Sequence, residues 1–183
     1  MTAGRDEGPR PFDLRSLDLA PGGARELELP LAPRDLSVGG QRYVIEPGDL
    51  LGRVEVAQSA SGWHFRLRAE AQVVGPCWRC LTEARIPVEV DSRDFAAFGR
   101  ASGASYDEDL DCEYLDGDAL DVVGMARDAI IDLLPGTILC REDCAGLCAT
   151  CGADLNAGPC DCAAPPIDSR WEALKGLADR LQA

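Results

Sequence analysis

The sequence has no long hydrophobic run, and this absence argues against a membrane-spanning helix. None of its apolar stretches approaches the roughly 20 residues that a membrane-spanning helix needs. The opening residues, MTAGRDEGPR, contain no apolar segment of the kind found in export signals. We therefore expect a cytoplasmic protein that does not enter a membrane and whose cysteine thiols stay reduced.

Histidine and lysine are almost missing. His64 is the single histidine and Lys175 the single lysine. Catalytic zinc sites usually include histidine and keep one coordination position open, so a lone histidine within a predicted strand argues against that chemistry. The sequence also contains no P-loop, no GxSxG motif and no dinucleotide-binding fingerprint. These absences predict a protein that is not an enzyme and has no small-molecule substrate.

Positive charge is scarce as well. Eighteen lysines and arginines face 32 aspartates and glutamates, which gives a formal net charge of −14 at pH 7. Two ions each held by four thiolates would make the chain more negative still. Because a chain this acidic repels nucleic acid at long range, it is not a general polyanion binder.

Cysteine, by contrast, is abundant, with nine in the chain. Cys112 stands alone, and we expect it to be a strand residue that behaves as a small apolar side chain. The other eight fall into close-spaced pairs, and a Cys-x-x-Cys loop can place two sulfurs on one tetrahedral ion. They therefore predict two four-thiolate metal sites, built from Cys77, Cys80, Cys140, Cys144, Cys148, Cys151, Cys160 and Cys162.

Zn²⁺ is the metal that such sites favour. Soft thiolates select it, and a closed site needs no redox chemistry. Gly152, directly after Cys151, can take a positive φ and turn backbone N–H groups toward the sulfurs. A disulfide cluster and an iron–sulfur cluster are the alternatives. We expect two structural zinc ions.

The eight thiols can be divided between two ions in two ways. In the first, segment 148–162 closes one site by itself, and the pairs at 77–80 and 140–144 share the other across about sixty residues. In the second, the thiols of 140–151 share one ion and the remaining pairs share the other. Locality favours the first division, which would also remove more unfolded-chain entropy by joining distant segments.

Apolar periodicity predicts an α+β fold. Alternating apolar and polar residues predict an antiparallel β meander or barrel-like sheet, with strands at 26–31, 43–45, 51–58, 63–74 and 81–90. One central helix should pack on this sheet, with Asp118 as its N-cap and Pro135-Gly136 at its end. Its predicted apolar stripe consists of Leu120, Val123, Ala126, Ile130, Leu133 and Leu134.

The chain divides by composition into three parts. Residues 1–11 are predicted to be disordered, and residues 12–139 to form the α+β core domain that carries the first cysteine pair. Residues 101–118 form an acidic loop within that core. Residues 140–183 combine the cysteine-rich zinc segment with a C-terminal helix, which Asp168 or Ser169 would cap.

These motifs together resemble a known family. The stretch CWRCL after a β-hairpin, the helix LDVVGMARDAIIDLLP, the segment CREDCAGLCATCGADLN and the final CDC are similar to the YceD family of bacterial large-subunit ribosomal RNA accumulation proteins, in its cysteine-rich form. The resemblance implies a role in 23S rRNA accumulation and large-subunit assembly, with no established enzymatic activity. It also implies that Cys77, Cys80, Cys140 and Cys144 form the shared site, and that the site at 148–162 is an accessory.

The function implied by the resemblance has two rivals. A zinc-dependent redox-sensing or chaperone-like protein, or a metal-stapled protein adaptor, would leave the same pattern of cysteines. For the ribosomal function, a basic large-subunit ribosomal protein or precursor particle could be drawn to the acidic residues 107–121, and this route is favoured by the excess of negative charge. The other route is direct 23S rRNA contact through an arginine patch formed by Arg66, Arg68, Arg79, Arg85 and Arg141.

Overall fold

The structure, a computed structural model, describes residues 10–31, 35–98 and 112–162. Three predicted features lie wholly or mostly outside these ranges: the disordered N-terminus, the acidic loop and the C-terminal helix. Within the described ranges the α+β class is confirmed, with nine strands, a short 3-10 helix at Leu14–Leu17 and one α-helix. The elements are β1 Phe12–Asp13, β2 Ala24–Pro30, β3 Leu36–Val38, β4 Gln41–Glu46, β5 Leu51–Gln58, β6 Gly62–Pro76, β7 Glu83–Ala97, β8 Leu115–Asp116, β9 Ala119–Leu120 and α1 Val122–Asp132.

The main sheet is built around β6, a strand of 15 residues. On one edge, β6 pairs with β7 along its whole length, from Gly62 opposite Ala97 to Pro76 opposite Glu83. On the other edge it pairs first with β5 and then with β4, which lie one after the other along it. β2 lies outside β5 and β3 lies outside β4, so the sheet is antiparallel and open.

This strand order differs in part from the predicted meander. Strands β5, β6 and β7 do follow one another as a meander, and the predicted hairpin between β5 and β6 is confirmed. However, β4 pairs with β6 rather than with β5, and the short strand β3 was not predicted. The reason is length: β6 is twice as long as its partners on that edge, so two strands are needed to cover it.

Strand β7 is also longer than predicted and continues to Ala97. The residues after Val90 are mostly polar, so the sequence does not show that side chains of β7 continue to alternate between the two faces of the sheet. In the structure Ser92 lies opposite Leu67 and Asp94 lies opposite Phe65. Both polar residues are half-buried. Backbone pairing to a long neighbouring strand therefore outweighs the local loss of apolar character.

The hydrophobic core lies on one face of this sheet. Side chains alternate across a strand, and the fully buried Val54, Leu67 and Val73 all point to the same side. Helix α1 packs on that side against β6 and β7, and it buries Val122, Met125, Ala126 and Ile130. Within the described ranges, no helix is both long enough and apolar enough to cross a membrane.

The start of helix α1 was predicted wrongly. Its N-cap is Asp121, whose carboxylate accepts a hydrogen bond from the Gly124 N–H at 2.9 Å. Asp118 lies instead in the turn of a small hairpin between β8 and β9, next to Gly117 with φ 60°. Leu120 is consequently a buried strand residue, and Leu133 beyond the helix end is exposed. Either aspartate could serve as a helix N-cap. Because Asp118 is part of the β8–β9 hairpin, the helix begins only after that hairpin and Asp121 is the cap.

Cys112 was also placed wrongly, because it lies before β8 and outside any strand. Its side chain packs against the core. Burial raises the pKa of the Cys112 thiol to about 11, and the nearby Asp94 carboxylate adds to this shift. The thiol is therefore protonated near neutral pH, as expected of an inert side chain.

The contact between Gly75 and Tyr43 gives a test of this core. A Cβ at residue 75 would overlap the ring of Tyr43, which is fully buried. Overpacking of this kind costs about 1–3 kcal/mol, and we expect Gly75→Ala to lower the free energy of unfolding by that amount. Gly48→Ala is the matched control, since nothing lies within 4 Å of a Cβ there. Denaturant unfolding measures both, and equal stability of the two variants would contradict this packing.

Candidate metal centres

The first cluster joins two distant parts of the chain. Cys77 and Cys80 lie in the turn between β6 and β7, and Cys140 and Cys144 follow helix α1. The four Sγ atoms lie within 4.8 Å of one another, with Cys77 Sγ 3.8 Å from Cys144 Sγ and Cys80 Sγ 3.6 Å from Cys140 Sγ. In a tetrahedral site with Zn–S bonds of about 2.3 Å, sulfurs are roughly 3.8 Å apart. This spacing suits a shared ion, and all four cysteines are free thiols.

The turn that carries Cys77 and Cys80 points backbone N–H groups at sulfur. The Arg79 N–H donates to Cys77 Sγ at 3.4 Å, and the Leu81 N–H donates to the Cys77 carbonyl at 3.0 Å. Closing this turn puts Leu81 at φ 61°, which is unusual for a residue that is not glycine. The side chain of Leu81 is 59% exposed, so packing does not explain that conformation.

The second cluster repeats the same turn on a local segment. The Thr150 N–H donates to Cys148 Sγ at 3.4 Å, and the Gly152 N–H donates to the Cys148 carbonyl at 2.9 Å. Gly152 takes φ 74°, as its position after the second cysteine predicts. The four sulfurs that lie within 4.8 Å of one another belong to Cys148, Cys151, Cys160 and Cys162.

The eight thiols are therefore grouped as in the first of the two predicted divisions, in which segment 148–162 forms one cluster by itself. The two clusters differ in environment. In the first, Cys77, Cys80 and Cys144 are buried in the hydrophobic core. In the second, Cys151 is exposed and the other three are half-buried. Either group can hold a metal ion, and four thiolates around one ion leave no open position for a substrate.

Burial and hydrogen bonds shift the thiol pKa values in opposite directions within each cluster, and in the second cluster hydrogen bonding to Cys151, together with burial, raises the pKa of Cys162 to about 11. Burial raises the pKa of Cys77, but the N–H groups of Cys80 and Arg79 outweigh it and lower that pKa to about 6. Burial and the Cys80 thiol raise the pKa of Cys140 to about 11. In the second cluster, the N–H groups of Cys151 and Thr150 lower the pKa of Cys148 to about 6. Backbone donors thus favour a thiolate on the first cysteine of each turn.

Rigid contacts fix the first turn on the sheet. The Trp78 N–H donates to the Ile138 carbonyl at 2.9 Å, which ties the turn to the segment after α1. The Trp78 indole N–H donates to the Tyr43 hydroxyl at 2.7 Å, and that hydroxyl donates to the Pro76 carbonyl at 2.8 Å. Tyr43 and Trp78 were not predicted to support the site. The pattern GPCWRC gives no direct signal of a partner 35 residues earlier in the chain.

Comparison with known proteins identifies the family of this chain. A family model described as "Large ribosomal RNA subunit accumulation protein YceD" matches residues 65–178, a range that contains both clusters. The chain belongs to the YceD family. It is also 32% identical over 63 residues to a chloroplastic "Large ribosomal RNA subunit accumulation protein YCED homolog 1" of Arabidopsis thaliana, a match that covers 34% of this chain and 20% of the plant protein.

Bacterial relatives cover more of the chain. An uncharacterized protein of Mycobacterium tuberculosis is 28% identical over 167 residues, which is 91% of this chain and 80% of that protein. An uncharacterized protein of Mycobacterium leprae is 32% identical over 153 residues, which is 82% of this chain and 70% of that protein. No solved structure matches this YceD-family chain.

The predicted arginines fall into two groups. Arg66, Arg68 and Arg85 lie on the sheet, and each forms an ion pair with a carboxylate. Arg79 and Arg141 lie at the first cluster. The Arg79 guanidinium donates to the Cys144 carbonyl at 2.8 Å, and the Arg79 backbone N–H is one of the donors that lower the pKa of Cys77. RNA contact by these five residues stays a prediction.

Asn156 links the two clusters, a role that sequence reasoning missed. It lies in the loop between Cys151 and Cys160, yet its side-chain amide donates to Cys144 Sγ at 3.6 Å. Its carbonyl oxygen accepts from the Ala145 N–H at 2.8 Å and from Arg141 at 2.9 Å. Asn156 is the only asparagine in the sequence, and this was the one feature of the sequence that could have drawn attention to it.

We expect Asn156→Ala to weaken metal binding at the first cluster, although Asn156 is not a ligand. Loss of a partner that orients a ligand typically costs about 10–100-fold in metal affinity. Cobalt(II) titration, followed by thiolate-to-metal absorption, measures this. Asp161→Ala is the control, because in the described part of the chain Asp161 forms no hydrogen bond to the first cluster. The same loss of affinity in both variants would contradict the link.

Proposed function

We propose that this chain is a cytoplasmic, non-enzymatic factor for 23S rRNA accumulation and large ribosomal subunit assembly, stabilised by two structural zinc ions. Membership of the YceD family is the single observation that carries this proposal. The name of the plant relative, which refers to large ribosomal RNA subunit accumulation, supports the same process.

The two clusters support zinc as a structural element. Each offers four thiols and no harder ligand, which suits Zn²⁺. Cys77 and Cys144 are almost completely buried, and buried thiolates need a cation to offset the loss of solvation. Residues Cys77, Cys80, Cys140 and Cys144 would hold one ion, and Cys148, Cys151, Cys160 and Cys162 the other.

The position of His64 supports a non-enzymatic role. His64 lies near the start of β6, whereas Cys77 follows the end of that strand. Its ring packs against Phe95 with centroids 4.7 Å apart, and Nε2 lies 3.3 Å from the Ser59 hydroxyl. The single histidine is thus part of a surface contact, far along the strand from both thiols of the first turn.

The partner that fits best is a basic large-subunit protein or a precursor particle. The net charge of −14 opposes direct attachment to naked 23S rRNA. The ion pairs of Arg66, Arg68 and Arg85 also reduce the positive charge that the sheet can offer to phosphate. Contact with 23S rRNA would then be indirect.

The zinc proposal predicts two ions per chain by elemental analysis of protein purified without added metal. Cys77→Ser should retain one ion and lose cooperative unfolding, because a structural zinc contributes about 10–16 kcal/mol to folding and a whole domain is stable by only about 5–15 kcal/mol. Cys160→Ser should also retain one ion but keep a folded core. A wild-type ratio near one, or iron with visible absorbance, would contradict two zinc sites.

The assembly proposal predicts a change in rRNA when the gene is deleted from its host. We expect 23S rRNA to fall relative to 16S rRNA and large-subunit precursors to accumulate, as measured by sucrose gradients and rRNA profiles. Wild type and Cys112→Ser should restore 23S rRNA, because Cys112 is in neither cluster. Cys140→Ser should not.

The same strain separates the alternative functions. Normal 23S rRNA in the deletion strain would overturn the assembly proposal. Normal rRNA combined with sensitivity to peroxide would favour a redox-sensing or chaperone-like protein instead.

A further inference from the structure

The sheet has a second face that the described part of the chain leaves uncovered. Helix α1 and the core residues lie on one side. Alternate residues of β2, β5, β6 and β7 point to the other side, and most of them are charged. We call this side the outer face.

Three arginines of the outer face, Arg53, Arg66 and Arg68, form ion pairs with carboxylates. Arg66 makes two hydrogen bonds of 2.7 Å to Asp91. Arg68 and Arg53 share Glu26, at 2.9 Å and 3.5 Å. These pairs neutralise the positive charge of the two arginines that line the groove described below, and Arg93, which forms no ion pair in the described chain, lies outside that lining.

The unpaired carboxylates surround a groove. β5 stops pairing with β6 at Arg68, and β4 begins pairing at Gln72. An open groove of about 750 Å³ lies beside this gap. Four of the acids that line it form no ion pair or side-chain hydrogen bond within the described ranges: Glu28, Asp49, Glu70 and Glu89.

Two of these acids form an unfavourable pair. Glu70 on β6 lies directly opposite Glu89 on β7, and like charges in directly opposed positions destabilise a sheet. Arg68, the nearest lining arginine on β6, is directed to Glu26 instead. Arg53 and Arg68 are also directly opposed, but both form an ion pair with Glu26, whereas within the described ranges neither Glu70 nor Glu89 forms one.

The groove also has an apolar wall. Leu51 points to the outer face and is 59% exposed, and Pro47 lies beside it in the lining. Lysine and arginine side chains place an aliphatic stem on apolar surface and keep the charged head among carboxylates. A nucleic-acid phosphate backbone is negatively charged and would be repelled by the four unpaired acids.

We propose that this groove binds a basic segment of a protein partner, with lysine or arginine stems on Leu51 and their charged heads between Glu70 and Glu89. The inference rests on the proposed function, since it gives the chemistry by which a basic large-subunit protein is recognised. It places that recognition on the outer face of the sheet rather than on residues 107–121.

Fluorescence anisotropy of the full zinc-loaded chain tests this with a short labelled peptide rich in lysine and arginine. We expect binding that weakens as salt rises, and no binding of a peptide with glutamine in place of the basic residues. Glu70→Gln with Glu89→Gln should weaken binding about tenfold. The same double variant should unfold at an equal or higher temperature, because the like-charge pair is removed.

Asp18→Asn with Asp132→Asn is the matched control, because it changes net charge equally at exposed acids that lie outside both the groove and residues 107–121. Equal weakening in both double variants would reduce the effect to net charge and overturn the proposal, as would failure to bind the basic peptide. The groove would be assigned to nucleic acid instead if a single-stranded RNA oligonucleotide bound more tightly than the basic peptide, and if Glu70→Gln with Glu89→Gln strengthened that RNA binding. If the peptide fails while the gene still restores 23S rRNA, the groove proposal fails and the assembly function stands.

Discussion

Four sulfur atoms from two distant parts of the chain lie within 4.8 Å of one another, and this contact joins the end of the sheet to the segment after helix α1. Cys77 and Cys80 close the turn at one end of the central strand pair, and Cys140 and Cys144 hold the chain as it leaves helix α1. Joining segments about sixty residues apart costs chain entropy, and three of the four thiols are buried, where thiolate charge is costly. A cation bound by these four thiols would offset both costs, including that of a turn with Leu81 at φ 61°.

The second cluster depends on the first more than its local sequence suggests. Its loop reaches back through Asn156 to Cys144, and the Leu147 N–H donates to the Arg79 carbonyl at 3.1 Å. The segment has few buried apolar side chains of its own, so these contacts and its own thiols must hold it. The first cluster is part of the hydrophobic core, and the segment that carries the second cluster adds a hydrogen bond from Asn156 to Cys144 of the first.

Much of this was predictable from the sequence because the determining physics is local. Cysteine spacing predicted both clusters, and alternation predicted β5 and β6 nearly to the residue. The rest depends on non-local geometry. Choosing Asp121 over Asp118 as the helix cap requires knowing that a hairpin precedes the helix. Pairing β4 with β6 depends on the length of β6, and finding Asn156 beside Cys144 requires both clusters to be in place.

Net charge alone gives an incomplete picture of how this YceD-family protein meets its partner. A value of −14 indicates repulsion from nucleic acid, but the structure shows how the charge is arranged. Arg53, Arg66, Arg68 and Arg85 on the outer face form ion pairs with neighbouring carboxylates, and exposed pairs of this kind contribute little to stability. The ion pairs matter for electrostatics, because the charges of each arginine and its carboxylate cancel. Glu70 and Glu89, which lie opposite each other on β6 and β7, keep their negative charge. A sheet optimised only for folding would place opposite charges there. Like charges also oppose each other at Arg53 and Arg68, but both of those arginines form an ion pair with Glu26. Glu70 and Glu89 form no ion pair in the described chain, and their position beside an apolar wall favours recognition of a cation.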